Sequence, residues 1–258
     1  MIHIDEIRKF YPDKLHPFSS FLLREYLQFK ILEIIYQSPY ANQLIFMGGT
    51  AIRIVHQNQR FSEDLDFDNL NISENEFLDL SGYIKSHMEQ QGYQVEINEV
   101  IKGAFHCYIR FPKLLFEAGL SGYAEQKILI QIDTEPQHFD YSPQKYILNK
   151  FDVFNGIAVT PVDILLSQKF YALINRKRKK GRDIFDILYL MSFTKPNYDY
   201  LQLKIQVSNP IELREKIIET MQNIDLNAMK KDVSPFVFNQ NDLQKFDLFL
   251  DYIQQVYK

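Results

Sequence analysis

The sequence predicts an α+β fold, in which a mixed β-sheet flanked by helices is followed by a helical C-terminal domain. Apolar residues recur at helical spacing in the segment 21–36. Apolar and polar residues alternate, as in half-buried strands, in runs between residues 94 and 134. After Thr160 the pattern is almost entirely helical. We therefore predict an α/β domain with N-terminal helices at 1–144 and a mainly helical domain at 145–258.

The first half of the chain is predicted to hold a helix, a strand, a helix, a strand and a further helix, in that order. Ser38-Pro39 ends the first helix, because proline interrupts a helical pattern. Ser73 and Glu76 form a capping box at the start of the last helix. The predicted helices are 21–36, 49–56 and 73–90, and the predicted strands are 44–47 and 64–68.

Three more strands are predicted before a linker. They lie at 94–100, 105–111 and 127–134. Lys102-Gly103 forms the turn between the first two strands, whereas the connection 112–126 has no clear pattern. Pro136 and Pro143 mark the linker.

Composition limits the classes of protein to consider. The 258 residues fit one large domain or two small ones. A net charge of -4 argues against a protein that coats nucleic acid along its whole surface, but it allows a local basic patch. The single cysteine, Cys107, excludes an internal disulfide and indicates a reducing compartment. With no signal-peptide pattern and no uncharged apolar run long enough for a membrane span, we expect a soluble cytoplasmic protein.

Aspartates alternate with apolar residues in the strand predicted at 64–68. The alternation places Asp64, Asp66 and Asp68 on one face. Asp133 ends the later strand 127–134, on its polar face. Because converging carboxylates are ligands that Mg²⁺ prefers, we interpret Asp64, Asp66 and Asp133 as metal ligands. A solvated strand face is the alternative, and Asp68 has the further alternative of capping the strand end.

A glycine turn precedes this strand. Gly48, Gly49 and Thr50 follow one predicted strand and open a helix. Backbone N–H groups at a helix N-terminus attract anions, and glycine lets a phosphate approach closely. The turn therefore predicts a phosphate site to which the Thr50 hydroxyl adds a donor, with an ordinary strand-to-helix turn as the alternative. Neither the Walker loop nor the dinucleotide fingerprint is present.

Gly48-Gly49-Thr50, Arg60 and the segment 62–67 (Ser-Glu-Asp-Leu-Asp-Phe) together resemble the signature of the AbiEii/AbiGii-type nucleotidyltransferases. These are toxins of bacterial toxin–antitoxin and phage-defence (abortive infection) systems, within the DNA polymerase β-like superfamily. The resemblance covers roughly residues 20–195. It implies a nucleotidyltransferase-like sheet, an active site completed by the helical domain, and nucleotide-binding roles for Gly48, Gly49, Thr50, Arg60 and Ser62.

The helix that starts at Thr160-Pro161 carries a lysine on its apolar stripe. Lys169 lies four residues after Leu165 and four before Leu173. A lysine on a buried face needs an anion, unless its stem packs and its amine reaches water. The resemblance implies that Lys169 holds the nucleoside triphosphate and takes part in catalysis.

Two further acids occupy the segment 182–188, which resembles the family's closing Arg-Asp-x-Tyr/Phe-Asp-Leu motif. Asp183 and Asp186 are three residues apart and share a helix face. The resemblance implies an active-site acid here without deciding between them, and we assign Asp186 to catalysis and Asp183 to nucleotide binding. The alternatives are a helix cap at Asp183 and a structural salt bridge to Arg182 or Lys169.

A basic run stands out in this acidic protein. It is interpreted either as a solvated surface or as a contact for the phosphate backbone of RNA. Its members are Arg176, Lys177, Arg178, Lys179, Lys180 and Arg182.

The predicted function is a metal-dependent nucleotidyltransferase. It moves a nucleotide from a nucleoside triphosphate to an acceptor hydroxyl, with Mg²⁺ or Mn²⁺ as the cofactor and Asp133 orienting the acceptor. The resemblance implies RNA, at the 3′ end of tRNA, as the acceptor, and a cognate antitoxin as a partner, with no membrane involved. The alternatives are a small-molecule nucleotidyltransferase and a non-catalytic RNA- or partner-binding protein on the same fold.

Overall fold

The computed structural model describes residues 2–258, which form two compact units. The first unit consists of residues 2–51, Phe61–His138 and Pro143–Val159. The second consists of Ile52–Arg60, Phe139–Ser142 and Thr160–Lys258. A segment from the first quarter of the chain therefore belongs to the same unit as the C-terminal helices.

The first unit contains one mixed sheet, and residues 2–258 contribute seven strands to it. The strands are β1 (Leu44–Met47), β2 (Leu65–Asn69), β3 (Glu96–Lys102), β4 (Ala104–Phe111), β5 (Ile128–Glu135), β6 (Gln144–Lys150) and β7 (Val153–Val159). Their order across the sheet is β3-β4-β5-β2-β1-β7-β6. The pairs β2–β5 and β1–β7 are parallel, and the remaining neighbours are antiparallel. This confirms the predicted mixed sheet.

Helices flank the sheet and make up most of the second unit. The first unit holds α1 (Ile4–Arg8), α2 (Ser19–Gln37), α4 (Glu74–Gln90) and the short α5 (Leu114–Glu117), while α3 (Gly48–His56) begins in the first unit and ends in the second. The second unit also holds α6 (Val162–Asn175), α7 (Gly181–Leu190), α8 (Tyr198–Ile205), α9 (Pro210–Met221), α10 (Leu226–Val233) and α11 (Phe249–Val256). Short 3₁₀ segments connect several of them. Within residues 2–258, every helix is too short or too polar to cross a membrane.

The hairpin β6–β7 lies between the predicted linker and the helix that starts at Thr160-Pro161, where the sequence analysis predicted no strand. Its two faces explain the difference. Leu148 and Ile157 are buried, but Ile147 and Phe154 are exposed large apolar side chains. Because both faces carry apolar residues, the period-2 alternation that identifies a half-buried strand is absent.

Tyr36 of α2 connects β1 to β7, which are in register at a single pair, Phe46 beside Val159. The Tyr36 hydroxyl lies 2.7 Å from the Ala158 carbonyl oxygen and accepts from the Phe46 N–H at 3.0 Å. Burial raises the pKa of this phenol, so it stays protonated and keeps its donor. The hydroxyl thus replaces part of the hydrogen bonding between β1 and β7. β1 is the strand that leads into the glycine turn.

Candidate active site

The face of the sheet opposite the core carries the predicted carboxylates. On β5 the apolar residues Ile130 and Ile132 are buried, while Gln131 and Asp133 are partly exposed. β5 runs parallel to β2, and their register places Asp133 directly beside Asp66. The structure therefore brings these two carboxylates together from segments 67 positions apart in the sequence.

Gly48 packs against Asp66. Its φ of +78° is a left-handed conformation that favours glycine. A Cβ added at Gly48 would also collide with the Asp66 carboxylate. Only glycine therefore allows the strand-to-helix turn and this carboxylate to lie against each other.

We predict that Gly48→Ala reduces nucleotide transfer roughly a hundredfold, the scale of effect expected when a reacting group is displaced by about 1 Å. The added methyl group must push the Asp66 carboxylate aside or unwind the turn. Initial rates of label transfer from a nucleoside triphosphate would measure the effect. Gly82→Ala in α4 is the matched control, since nothing lies within 4 Å of a Cβ added there. Equal rates for the two variants would contradict the prediction.

Asp64 precedes β2 by one residue, and its backbone is fixed by Thr50. The buried Thr50 hydroxyl donates a hydrogen bond to the Asp64 carbonyl oxygen. The hydroxyl predicted to reach a phosphate is therefore used to join the first turn of α3 to the start of β2. Thr50 is a positioning residue for Asp64 in this arrangement.

Asp68 has different surroundings from Asp64 and Asp66. It is buried, and its Oδ1 accepts from the Gln137 N–H at 2.8 Å. This carboxylate therefore fixes the chain that follows β5.

The segment that carries Ser62 is held by α2. Gln28 donates its side-chain amide to the carbonyl oxygens of Ser62 and Glu63, at 3.1 and 2.9 Å. Arg24 pairs with the Glu63 carboxylate at 3.0 Å. Ser62 is half-buried. These hydrogen bonds give the segment before Asp64 a defined path.

His106 of β4 was not identified from the sequence, yet it contacts a predicted metal ligand. Its Nδ1 lies 2.6 Å from Asp133 Oδ1. Gln131 donates its side-chain amide to the same oxygen at 2.7 Å. In the predicted strand 105–111, apolar and polar residues alternate, and His106 lies on the polar face. This alternation could have identified His106 as a candidate.

In the second unit, a buried aspartate holds three donors. Arg60 donates to both oxygens of Asp186, at 2.7 Å through Nε and 2.6 Å through Nη2. Lys169 Nζ lies 2.9 Å from Asp186, and Asn58 donates its amide at 2.7 Å. Burial raises the pKa of the Asp186 carboxyl, but Arg60 and Lys169 outweigh it and hold that pKa below its ordinary value. The carboxylate is therefore charged at neutral pH.

The burial of this cluster concerns two residues with predicted functional roles. Arg60 is 2% exposed and Asp186 is 0% exposed. Both side chains take part in a buried pairing. The nucleotide-binding role of Arg60 and the catalytic role of Asp186 stay predictions.

Asp183 and Lys169 form the next link of the same network. Asp183 is buried, and its two oxygens lie 2.6 Å from Arg176 and 3.4 Å from Lys169. Lys169 therefore meets two carboxylates, as the salt-bridge alternative for these acids predicts, while its side chain stays 13% exposed. Arg182, the other candidate partner, stacks on the Phe236 ring at 4.8 Å.

In the basic run, some side chains contact other residues of the chain and others do not. Arg176 pairs with Asp183, Arg182 stacks on Phe236, and Lys179 donates to the Ile174 carbonyl at 2.6 Å. Burial, together with the Arg176 charge, lowers the pKa of Lys179. The side chains of Lys177, Arg178 and Lys180 make no ion pair or hydrogen bond with the rest of residues 2–258.

Comparison with known proteins identifies the family of this chain. The family described as Nucleotidyl transferase AbiEii toxin, Type IV TA system, matches residues 30–251 of the chain. The chain belongs to the AbiEii family. As an AbiEii protein it is a nucleotidyltransferase of a toxin–antitoxin type. None of the curated proteins matches the sequence at a significant level.

Solved structures resemble this chain in fold. The chain is similar to JHP933 from Helicobacter pylori, with a TM-score of 0.55 and 15% identity over 92% of this chain and 93% of that one. A second H. pylori protein gives the same TM-score and identity, over 92% of this chain and 96% of that one. At this identity the likeness shows the fold.

The AbiEii family implies a divalent metal, and the donor atoms of this site suit such an ion. Asp66 and Asp133 offer hard oxygen donors from neighbouring strands. Within residues 2–258, no three His, Cys, Asp or Glu side chains converge as a complete metal site. Mg²⁺ usually takes one or two carboxylates and completes its shell with substrate phosphates and water. The pair therefore fits a magnesium ion that arrives with its nucleotide.

Proposed function

We propose that this AbiEii protein uses Mg²⁺ or Mn²⁺ to transfer a nucleotide from a nucleoside triphosphate to a hydroxyl of RNA, at the 3′ end of tRNA. We further propose that it acts as a toxin in the cytoplasm, with a cognate antitoxin. The observation that carries the catalytic part is the register of Asp66 beside Asp133, with Gly48 packed against Asp66.

In this proposal, Asp64, Asp66 and Asp133 hold the metal together with the phosphates. A bound divalent ion would neutralise charge on the triphosphate as pyrophosphate leaves. The backbone N–H groups of Gly48 and Gly49, at the start of α3, bind phosphate oxygens. Asp133 orients the acceptor hydroxyl. The protein contributes positioning and charge, and the reaction needs no covalent protein intermediate.

Lys169 and Ser62 complete the proposed nucleotide-binding set. Lys169 retains an exposed fraction of 13% and carries the charge suited to a triphosphate. The resemblance of its helix to the family's lysine helix also supports this role. Asp183 and Asp186 are then positioning residues, because they hold the Lys169 ammonium in one place.

The acceptor is proposed to be RNA because Lys177, Arg178 and Lys180 form an unpaired basic surface in a protein of net charge -4. Lys177 and Arg178 are exposed, and Lys180 is half-buried. Cations of this kind bind phosphate groups without reading sequence. This surface distinguishes the proposal from a small-molecule nucleotidyltransferase, which needs none.

We predict that replacing Lys177, Arg178 and Lys180 with glutamine weakens RNA binding and lowers the slope of log K against log salt by about 2, because each phosphate of a single strand that is no longer neutralised removes about 0.7 from the slope. Fluorescence anisotropy with labelled tRNA at several salt concentrations would measure the slope. The matched control replaces Lys14, Lys102 and Lys113, three exposed lysines, and changes the net charge equally. An equal effect in both variants would indicate a general charge effect without a binding surface.

The direct test of the function supplies each α-labelled nucleoside triphosphate with Mg²⁺ or Mn²⁺, in the presence and absence of total RNA. We expect label to enter RNA from at least one nucleotide. Label that appears only in small molecules would favour the alternative acceptor. Failure to transfer from any nucleotide to RNA or to metabolite extract would contradict the proposed reaction.

A further inference from the structure

A row of three side chains crosses the open face of the sheet at one level. Asp66 on β2 lies beside Asp133 on β5, and Asp133 lies opposite His106 on β4. Side chains at directly paired positions share a face, so all three project from the same side. The row thus joins a proposed metal ligand to a histidine with no assigned function.

The two oxygens of Asp133 have different surroundings. Oδ1 receives the His106 Nδ1–H at 2.6 Å and the Gln131 amide at 2.7 Å. Because an ionised carboxylate only accepts, the Nδ1 atom of His106 carries the hydrogen. Oδ2 accepts no hydrogen bond from residues 2–258. One oxygen is therefore occupied by donors and the other is available.

We propose that His106 and Gln131 are positioning residues that fix the Asp133 carboxylate, so that Oδ2 alone faces the metal and the acceptor hydroxyl. This proposal rests on the proposed function of Asp133. Ligating carboxylates are commonly oriented by outer hydrogen bonds, and removal of such a partner typically weakens metal binding. Two donors on one oxygen prevent the carboxylate from rotating.

Stability alone does not account for this arrangement. The side chains of His106 and Asp133 are 30% and 29% exposed, and pairs this accessible to water add little to folding. Gln131 and His106 also converge on the same atom from adjacent strands, although each has access to water. The effect that this geometry does explain is a fixed orientation of the Asp133 carboxylate.

The test measures Mn²⁺ binding by electron paramagnetic resonance, with and without a mixture of α,β-methylene nucleoside triphosphates. We expect His106→Leu and Gln131→Leu each to raise the Mn²⁺ dissociation constant roughly tenfold or more. His106→Asn should recover most of the affinity, because its amide nitrogen stands near the position of Nδ1. His87→Leu is the matched control, since His87 Nδ1 bonds only the Tyr83 carbonyl of its own helix.

Nuclear magnetic resonance of ¹⁵N-labelled histidine supplies a readout without metal. His106 should show the Nδ1–H tautomer in the intact protein and lose this preference in Asp133→Asn. Thermal melting identifies any variant that fails to fold, and Gln131→Leu then replaces His106→Leu as the deciding variant.

The outcomes separate this proposal from the function on which it rests. If Asp133→Asn weakens Mn²⁺ binding and His106→Leu and Gln131→Leu do not, the positioning role is wrong and the metal site stands. If Asp133→Asn leaves binding unchanged, the metal site itself is wrong. If His106→Asn is as weak as His106→Leu, the hydrogen bond to Oδ1 is not the cause.

Discussion

Replacing Asp66 with asparagine should reduce nucleotide transfer by about 10²–10³-fold or more, since removing one preorganised charge-stabilising group typically costs that much. Asparagine keeps the shape that packs against Gly48 but loses the negative charge that faces a divalent ion. Fold and nucleotide-independent stability should be unaffected. Single-turnover transfer to RNA, with label followed on a gel, would give the rate of the chemical step.

Asp68→Asn is the sharpest control for this variant. Asp68 lies two residues away on the same strand, but it is buried and accepts from the Gln137 N–H. An asparagine oxygen can accept the same hydrogen bond. We therefore expect Asp68→Asn to retain most of the activity. The assignment of roles on β2 fails if the two variants lose activity equally, or if Asp68→Asn loses more.

Replacing Asp186 with alanine should lower the free energy of unfolding by about 3–5 kcal/mol, the usual consequence of leaving a buried charge without its partner. The variant removes the two hydrogen bonds from Arg60 to Asp186, and the Arg60 side chain is 2% exposed. It also removes the acceptor of the Asn58 amide. Urea unfolding followed by circular dichroism would measure the decrease. Asp199→Ala, at an exposed position in α8, is the control.

A double variant separates the charge from the packing. Arg60→Met with Asp186→Leu removes both charges and fills the space with apolar side chains of similar size. Such replacements are often neutral or stabilising. We expect the double variant to be more stable than Asp186→Ala alone. A double variant as unstable as the single one would mean that hydrogen bonds of Asn58 and Lys169, and not the Arg60 charge, dominate the effect.

The stability gap between the protein and Asp186→Ala should also depend on pH. The pKa of Asp186 in the folded state is held below its ordinary value of 3.8. A lowered pKa stabilises the folded protein above the ordinary value, and this contribution is lost as pH falls through the folded-state value. The gap should therefore be constant from pH 7 to about pH 5 and narrow below about pH 4. Urea midpoints measured across this range would show whether the gap narrows.

Local pattern was sufficient to predict most of the first unit. The strand 44–47 and the helix that follows it were predicted at the positions observed, because a short apolar run and two glycines leave few alternatives. The alternation in β5 predicted which side of the strand carries Asp133. Period-2 patterns report which face is buried, and this information is local.

Contacts between segments that are distant in the sequence could not be predicted from local residue patterns. Arg60 and Asp186 are 126 positions apart, and nothing in either segment indicates that one neutralises the other. The resemblance assigned functional roles to both residues, but a motif does not report which side chains are buried together. His106 was missed because its importance comes from the strand beside it. Sheet neighbours and buried ion pairs depend on tertiary structure, which sequence spacing does not contain.

The discontinuity of the second unit limits how this protein can be divided. Ile52–Arg60 leaves the first unit after the opening turn of α3 and returns to it at Phe61. A C-terminal fragment beginning at Thr160 would keep Asp186 and Lys169 but lack the arginine that neutralises Asp186 at its centre. A single cut in the sequence therefore cannot separate the two units.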